Sequence, residues 1–362
     1  MRIMTYIIMA AGLGLLLTSC GFKDIDKRFF VVALGIDRTD NEQKPYRLTL
    51  RLAIPSSMVE PGEAKAEVET INTSSIAEGL RMMKSHVDKE LDFGHCKIFM
   101  LGERLTSEDY RDTLQWMSRR RDIQSVADIA IGRPAAEPVL EIMPQSERYP
   151  GNALFLSFGS DGTESSFTYV TSLSELIRRS EENGLDPILP IVTEDKNTYT
   201  INRAALLDKK QSKLVLLPSE TELFIQLTGS KTKSSTNGMF EGTRLVVGIN
   251  QLSTRFKIEK RNGTPVIVFH VSMKVILEDA PRGLYDKHWG PIERKLAGEY
   301  AEQSIALLRK IQKAGVDPFG FGLRYRAMHP GNGAWEEWKR IYPEADFEVK
   351  AKFKIEGTGL IK

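Results

Sequence analysis

The sequence holds few of the residue groupings that carry catalysis or metal binding. Its 5 histidines are scattered, and none lies at metal-ligand spacing from a cysteine or a second histidine. No Gly-x-x-x-x-Gly-Lys-Ser/Thr loop occurs, Gly320-Phe321-Gly322 lacks the third glycine of a dinucleotide fingerprint, and Gly159-Ser160-Asp161-Gly162 indicates a turn rather than a nucleophile elbow. We therefore expect no catalytic residues, no metal site and no cofactor, which disfavours an enzyme.

One cysteine stands in a pattern that predicts a covalent modification. Arg2 precedes the uncharged apolar run Ile3–Leu17, which continues into Leu17-Thr18-Ser19-Cys20. The run is shorter than the about 20 residues that a spanning helix needs, so it favours a signal peptide. Leu-Thr-Ser-Cys resembles the bacterial lipobox, and this resemblance implies cleavage after residue 19 and diacylation of Cys20. Cys96 lies in an apolar run, and we interpret it as a buried, inert thiol.

The stretch Asp317-Pro318-Phe319-Gly320-Phe321-Gly322 combines residues with special backbone and packing properties. Its two glycines permit backbone angles or close approaches that other residues do not. Its phenylalanines can anchor the segment in a core, and its aspartate can accept hydrogen bonds from the amides of the loop. We expect a structural link between a helix and the last sheet, with a partner-binding surface as the alternative. Trp335 and Trp338, three positions apart, indicate the core face of a short helix.

Length and composition indicate an ordinary globular protein. The 362 residues suffice for two or three cores, with 41% apolar and 27% charged residues. The 50 basic side chains balance 48 acidic ones. A nucleic-acid binder needs a concentrated positive field, so no nucleic-acid partner is expected.

Hydrophobic periodicity predicts alternating strands and helices in the first half. Residues 29–37 form an apolar run typical of a buried strand, and residues 46–54 alternate as in a strand with one wet face that carries Arg47, Thr49 and Arg51. Ser75 with Glu78 fits a capping box at a helix start. Further on, the pattern predicts a strand at 97–101, a helix from near Thr106, a strand at 126–131, a long loop at 149–168 and a helix capped by Ser172.

The second half predicts an antiparallel meander, a long helix and a final strand. Residues 230–237 indicate a polar loop, and residues 244–250, 254–260 and 265–277 indicate strands. Asn262-Gly263 is a strong hairpin signal between the last two. Residues 289–314 have helical spacing and end before Gly315, and residues 347–355 alternate as an amphipathic strand.

These elements place the chain in the α+β class, as a multi-domain head with mixed and antiparallel sheets packed by helices. They follow no strict alternation of strand and helix. The expected domains are a signal peptide at 1–19, an N-terminal α+β domain at 20–197 and a C-terminal α+β domain at 198–362.

Two regions resemble the Ger(x)C family, the lipoprotein C subunits of spore nutrient germinant receptors. The first runs from Cys20 through a polar stretch into the strand that ends in Gly35-Ile36-Asp37. The second is 316–322, followed by two tryptophans, the final strand and Gly357. The chain departs from the family pattern at residues 21–26 and at Pro318, where the family has an aliphatic residue.

The resemblance implies a non-catalytic receptor subunit that is required for nutrient-triggered germination. It implies two integral-membrane partners, the A and B subunits, and a head tethered to the outer face of the spore inner membrane by the diacylglycerol on Cys20. The main alternative is a solute-binding lipoprotein of a membrane transporter, which would need two lobes of alternating strands and helices. A lipid-anchored hydrolase is a third class, but it lacks a recognisable nucleophile motif.

Overall fold

The computed structural model describes residues 27–53, 66–145, 147, 151–159, 165–229, 234–261, 263–279, 288–331 and 333–358. The predicted signal peptide, Cys20 and Asn262 lie outside the described residues.

The described residues form two sheets, and the first has nine strands in a mixed arrangement. They are β1 (Arg28–Arg38), β2 (Tyr46–Ala53), β3 (Ala66–Thr73), β4 (Glu90–Asp92), β5 (Ile98–Gly102), β6 (Asp128–Arg133), β7 (Ile188–Asp195), β8 (Thr198–Leu207) and β9 (Ser212–Val215). Their order is β3-β2-β1-β5-β6-β7-β8-β9, with β4 beside the start of β1. The central strands β1, β5, β6 and β7 are parallel, and antiparallel pairs flank them.

Helices cover both faces of this sheet. They are α1 (Ile76–Met83), α2 (Glu103–Glu108), α3 (Arg111–Ser118), α4 (Ala136–Glu141), α5 (Asn152–Phe158) and α6 (Leu173–Glu181). One face packs against α1, α3 and α6, and the other against α4 and α5. A strand with helices on both faces of its sheet has no solvent-exposed positions, which explains the continuous apolar run of β5.

Within the described ranges, the second sheet has four strands in the order β10-β11-β12-β13. These are β10 (Ser234–Phe240), β11 (Thr243–Arg261), β12 (Thr264–Asp279) and β13 (Asp346–Gly357). The helices are α7 (Pro218–Thr228), α8 (Gly290–Lys313), α9 (Phe321–Met328) and α10 (Ala334–Ile341). β12 and β13 pair in parallel, which requires a long crossover, and α8 to α10 provide it.

The predicted α+β class with mixed and antiparallel sheets is confirmed. Several elements are confirmed with it, among them β1, β12, β13, α8 and the helix cap at Ser75, whose side chain accepts from the amide of Glu78. Three predictions are wrong in detail. The helix α5 forms inside the predicted loop at 149–168, β10 begins inside the predicted loop at 230–237, and β11 is one strand rather than two.

The predicted wet face of β2 is also wrong, because Thr49 and Arg51 are fully buried. The helix α4 packs across this face of the sheet. The guanidinium of Arg51 donates to the carbonyl of Ile142 at 2.8 Å and to the hydroxyl of Tyr199 at 2.9 Å. It also forms a buried ion pair with Glu147. A buried charge needs such partners, since an unpaired one would be very costly.

The two sheets share one continuous hydrophobic core at their junction. Ile188 and Leu206 of the first sheet belong to the same buried cluster as Phe224 of α7 and Phe269 of β12. The first sheet itself runs past residues 197 and 198, since β8 and β9 pair with β7 in it. The division of the chain into domains at that point stays a prediction.

Candidate functional site at the junction of the two sheets

The carboxylate of Asp317 organises the loop that follows α8. Its Oδ1 accepts hydrogen bonds from the amides of Gly320 at 2.9 Å and Phe321 at 3.0 Å, and its Oδ2 accepts from the amide of Gly322 at 2.6 Å. These are the first amides of α9, which have no partner within the helix. Asp317 therefore caps the N-terminus of α9. It lies three residues before Gly320, whose backbone is in the left-handed region (φ 77°).

The same loop is tied to the end of α6 in the first half of the chain. The amide of Asp317 donates to Oδ2 of Asp186 at 2.7 Å, and the amide of Asp186 donates to the carbonyl of Asp317 at 2.8 Å. Arg179 donates 2.9 Å hydrogen bonds to the carbonyls of Asp186 and Pro318. Lys209 pairs with Asp186 at 3.1 Å. The loop thus joins the two halves by hydrogen bonds as well as by packing.

Gly322 sits where two backbones and a ring meet. A Cβ at this position would come within 2.6 Å of Trp338 Cδ1 and 2.8 Å of Gly184 Cα. The amide of Leu323 donates to the carbonyl of Gly184 at 2.9 Å. A side chain at Gly322 would therefore force the first turn of α9 away from the loop after α6.

The two phenylalanines of the loop occupy different environments. Phe321 is fully buried and contacts Phe256 edge to face, with ring centroids 4.9 Å apart. Phe319 is half-buried, stacks on Phe321 at 5.3 Å and contacts Phe224 at 4.9 Å. Aromatic pairs in these geometries add stability beyond their buried area. Phe319 keeps part of its ring accessible.

The two tryptophans on α10 also differ. Trp338 is 1% exposed and lies between the rings of Tyr325 and Tyr342, with centroid distances of 5.1 and 5.3 Å. Trp335 is half-buried against the rim of the same core. Tyr342 in turn donates from its hydroxyl to the carbonyl of Val316 at 3.0 Å, next to Asp317. Trp338 therefore helps to fix the loop, and Trp335 lies at its margin.

The Gly35-Ile36-Asp37 motif repeats the same device on the first sheet. The carboxylate of Asp37 is buried and accepts from the amides of Ala136 at 2.7 Å and Glu137 at 3.0 Å, the start of α4. A Cβ at Gly35 would lie 2.9 Å from Leu140 Cδ1. The motif therefore seats α4 on the sheet. Sequence reasoning missed this role, because Asp37 and its partners are about a hundred positions apart.

Other groups in the described part of the chain offer little chemistry. No cluster of three or more His, Cys, Asp or Glu side chains there could hold a metal ion. Cys96 is buried, and burial raises the pKa of its thiol to about 12. No helix among the described residues is long and apolar enough to cross a membrane.

The fold and the junction define a two-sheet α+β protein in which buried aspartates cap α4 and α9. Two family models match the chain, "Spore germination protein N-terminal domain" over residues 21–194 and "Spore germination B3/GerAC like, C-terminal" over residues 202–359. The chain belongs to this spore germination family, the Ger(x)C family.

Two known proteins are similar over almost the whole chain. Spore germination protein KC of Bacillus subtilis (strain 168) is 24% identical over 378 aligned positions, which cover 91% of this chain and 89% of that protein. The crystal structure of the GerBC protein superposes with a TM-score of 0.59 at 19% identity, covering 90% of this chain and 97% of that one. The second comparison supports the fold.

The two loop glycines should be essential for stability. We expect Gly320→Val and Gly322→Val each to lower the free energy of unfolding by about 1–3 kcal/mol, the first through its left-handed backbone and the second through overpacking. Thermal unfolding of the purified chain measures this. Gly357→Val is the matched control, because a Cβ there meets no atom within 4 Å. Loop variants that melt with the control would show that the loop tolerates side chains.

Asp317 should make stability depend on pH. Burial raises the pKa of this carboxyl to about 7, and the nearby charge of Asp186 adds to the rise, while the three amides oppose it. Between pH 3.8, the ordinary pKa of this carboxyl, and about pH 7, the folded chain keeps the proton of Asp317, whereas the unfolded chain has released it. This contribution to stability is therefore full below pH 3.8 and is lost as the pH rises through about 7.

The variant Asp317→Asn isolates this effect. The difference in unfolding free energy between the parent and the variant should shrink as the pH rises from about 4 to about 7. Urea unfolding across this range measures it. The buried carboxyl of Asp128, whose pKa is raised by burial to about 6, titrates in both proteins and cancels. A difference that grows with pH would mean that the amide hydrogen bonds keep Asp317 ionised.

Proposed function

We propose that this protein is the non-catalytic C subunit of a spore nutrient germinant receptor and is required for nutrient-triggered germination. In this role it works with two integral-membrane subunits, A and B. Its head is held on the outer face of the spore inner membrane by a diacylglycerol on Cys20. Membership of the spore germination family supports the receptor assignment. The similarity to Spore germination protein KC over almost the whole chain also supports it.

The non-catalytic role is supported by the contacts that the aspartate side chains of the two family motifs make. Asp37 and Asp317 are both buried, and each directs both carboxyl oxygens at backbone amides at the start of a helix. An acid, base or nucleophile needs a lone pair directed at a substrate. The residues by which the chain resembles its family therefore hold the head in shape, as an assembly subunit requires.

The solute-binding alternative is disfavoured by the second sheet. A solute-binding lipoprotein would be built from two lobes of alternating strands and helices. Here β10, β11 and β12 form an antiparallel meander, and three helices, α8, α9 and α10, follow it without intervening strands among the described residues. The two sheets also share one buried cluster at their junction.

The lipid anchor has a direct test. Two acyl chains, each contributing about 0.8 kcal/mol per buried methylene, should hold the mature chain on the bilayer. We expect Cys20→Ala to abolish metabolic labelling with palmitate, and either to leave the precursor unprocessed or to release the head. Cys96→Ala is the matched control and should label normally, because its thiol is buried. Normal labelling of Cys20→Ala would exclude the lipobox assignment.

The receptor role is tested in spores. We expect deletion of this chain to abolish germination with the nutrients of its own receptor and to leave the responses of other receptors intact. Affinity purification of the chain from spore membranes should recover two integral-membrane proteins. The purified chain alone should show no micromolar binding of amino acids or sugars by calorimetry. Micromolar binding without recovery of membrane subunits would instead support a solute-binding lipoprotein.

A further inference from the structure

A cleft opens beside the half-buried ring of Phe319. It has a volume of about 520 Å³ and lies between the loop after α8, the strand β11 and residues just before α6. Tyr169, Phe256, Phe319 and Pro318 provide apolar walls. Tyr169, Phe256 and Phe319 are only partly buried. The loop that joins the two halves thus also presents an aromatic surface to solvent.

Two arginines on this cleft lack acidic partners within the described residues. Arg255 on β11 and Arg324 on α9 both line the cleft and are exposed. Neither forms an ion pair or a side-chain hydrogen bond there. The third arginine, Arg179, differs, because its guanidinium is buried and bound to Glu175 and to two carbonyls. Arg255 and Arg324 are therefore available to an anionic partner.

The cationic surface continues from the cleft across the outer face of the second sheet. Arg255 pairs in register with His270 and then Lys350 across β11, β12 and β13. Two positions further along β13, the same face carries Lys352. Two positions beyond that, Lys274 of β12 lies beside Lys354 of β13.

Acidic partners lie at the margins of this surface. Lys350 pairs with Glu348 at 3.2 Å, Lys274 pairs with Glu356 at 3.2 Å, and Lys354 pairs with Glu293 at 3.8 Å. Lys352, at the centre, is exposed and has no acidic partner among the described residues. The central rows therefore form a cationic patch next to an aromatic cleft, with Arg255 belonging to both.

We propose that this cleft and patch bind an acidic segment of a protein partner, with one apolar side chain of the segment inserted beside Phe319. The inference rests on the proposed receptor function and places the partner contact on one surface of the head. Aromatic and arginine side chains around a pocket are the typical composition of interface hot spots. The cationic rows are complementary to carboxylates next to the inserted side chain.

The shape of the surface favours a protein over a bilayer. A bilayer presents its phosphates as a layer and would engage the exposed lysines and arginines of the flat sheet face. A concave cleft with aromatic walls needs a protruding apolar group to fill it. A protein segment can supply that group and the carboxylates together.

The double variant Arg255→Glu with Arg324→Glu tests the surface in the assembled receptor. We expect at least about tenfold less of the integral-membrane subunits to co-purify with it from spore membranes, because the charge complementarity is reversed. The matched control is Arg81→Glu with Arg121→Glu, which changes the charge equally at exposed sites outside the cleft. Both double variants should unfold at the parent temperature. Equal recovery with both would overturn the proposal.

Site-specific cross-linking identifies what contacts the cleft. Cys96 is buried, so Arg324→Cys introduces an accessible thiol that benzophenone maleimide can label in spore membranes. We expect light to join it to an acidic segment of an integral-membrane subunit. Label transferred only to lipid, together with arginine-dependent binding to phosphatidylglycerol vesicles, would replace the protein partner by the bilayer. If the parent chain itself recovers no membrane subunit, the proposed receptor function fails rather than this surface alone.

Discussion

The side chain of Asp317 lies buried against three backbone amides, and this contact fixes the start of α9 and its attachment to the first half of the chain. Those amides begin α9, so the carboxylate sets where the helix starts and how it is directed. The backbone of the same residue is paired with Asp186, which fixes the helix relative to the first half of the chain. A buried carboxylate without donors would cost several kcal/mol. The loop therefore has little freedom to adopt another conformation.

The two family motifs use one physical principle in different parts of the molecule. In each, an aspartate caps the first turn of a helix, and a glycine lets that helix approach its neighbour closely. Gly35 on β1 lets the capped helix α4 approach through Leu140, and Gly322 on the capped helix α9 lets α9 approach Trp338 of α10. An asparagine would lose one acceptor, and an alanine in place of glycine would separate the packed elements. The residue types in both motifs thus follow from geometry.

Hydrophobic periodicity predicted those strands and helices in which each residue's burial follows from its position in the local repeat. The alternation of β12 and β13 and the helical spacing of α8 were sufficient for their assignment. Arg51 shows where such reasoning stops, because its burial depends on α4 and on Glu147, 96 positions away. The contact of Asp317 with Asp186 spans 131 positions and has no local signal. The sequence indicated that Asp317 would bind loop amides, but the tertiary fold determined what else the loop holds.

In and next to the Asp317–Gly322 loop, the buried residues hold the backbone in place, and the accessible residues contact solvent. Asp317, Gly320, Phe321 and Gly322 are buried and hold the backbone in place. Phe319 keeps part of its ring accessible, and Arg324 projects from the helix that this backbone starts. A partner that binds groups held this firmly has less conformational entropy to remove on association. The rigidity that makes the loop a structural joint is therefore also what makes it suitable as a binding surface.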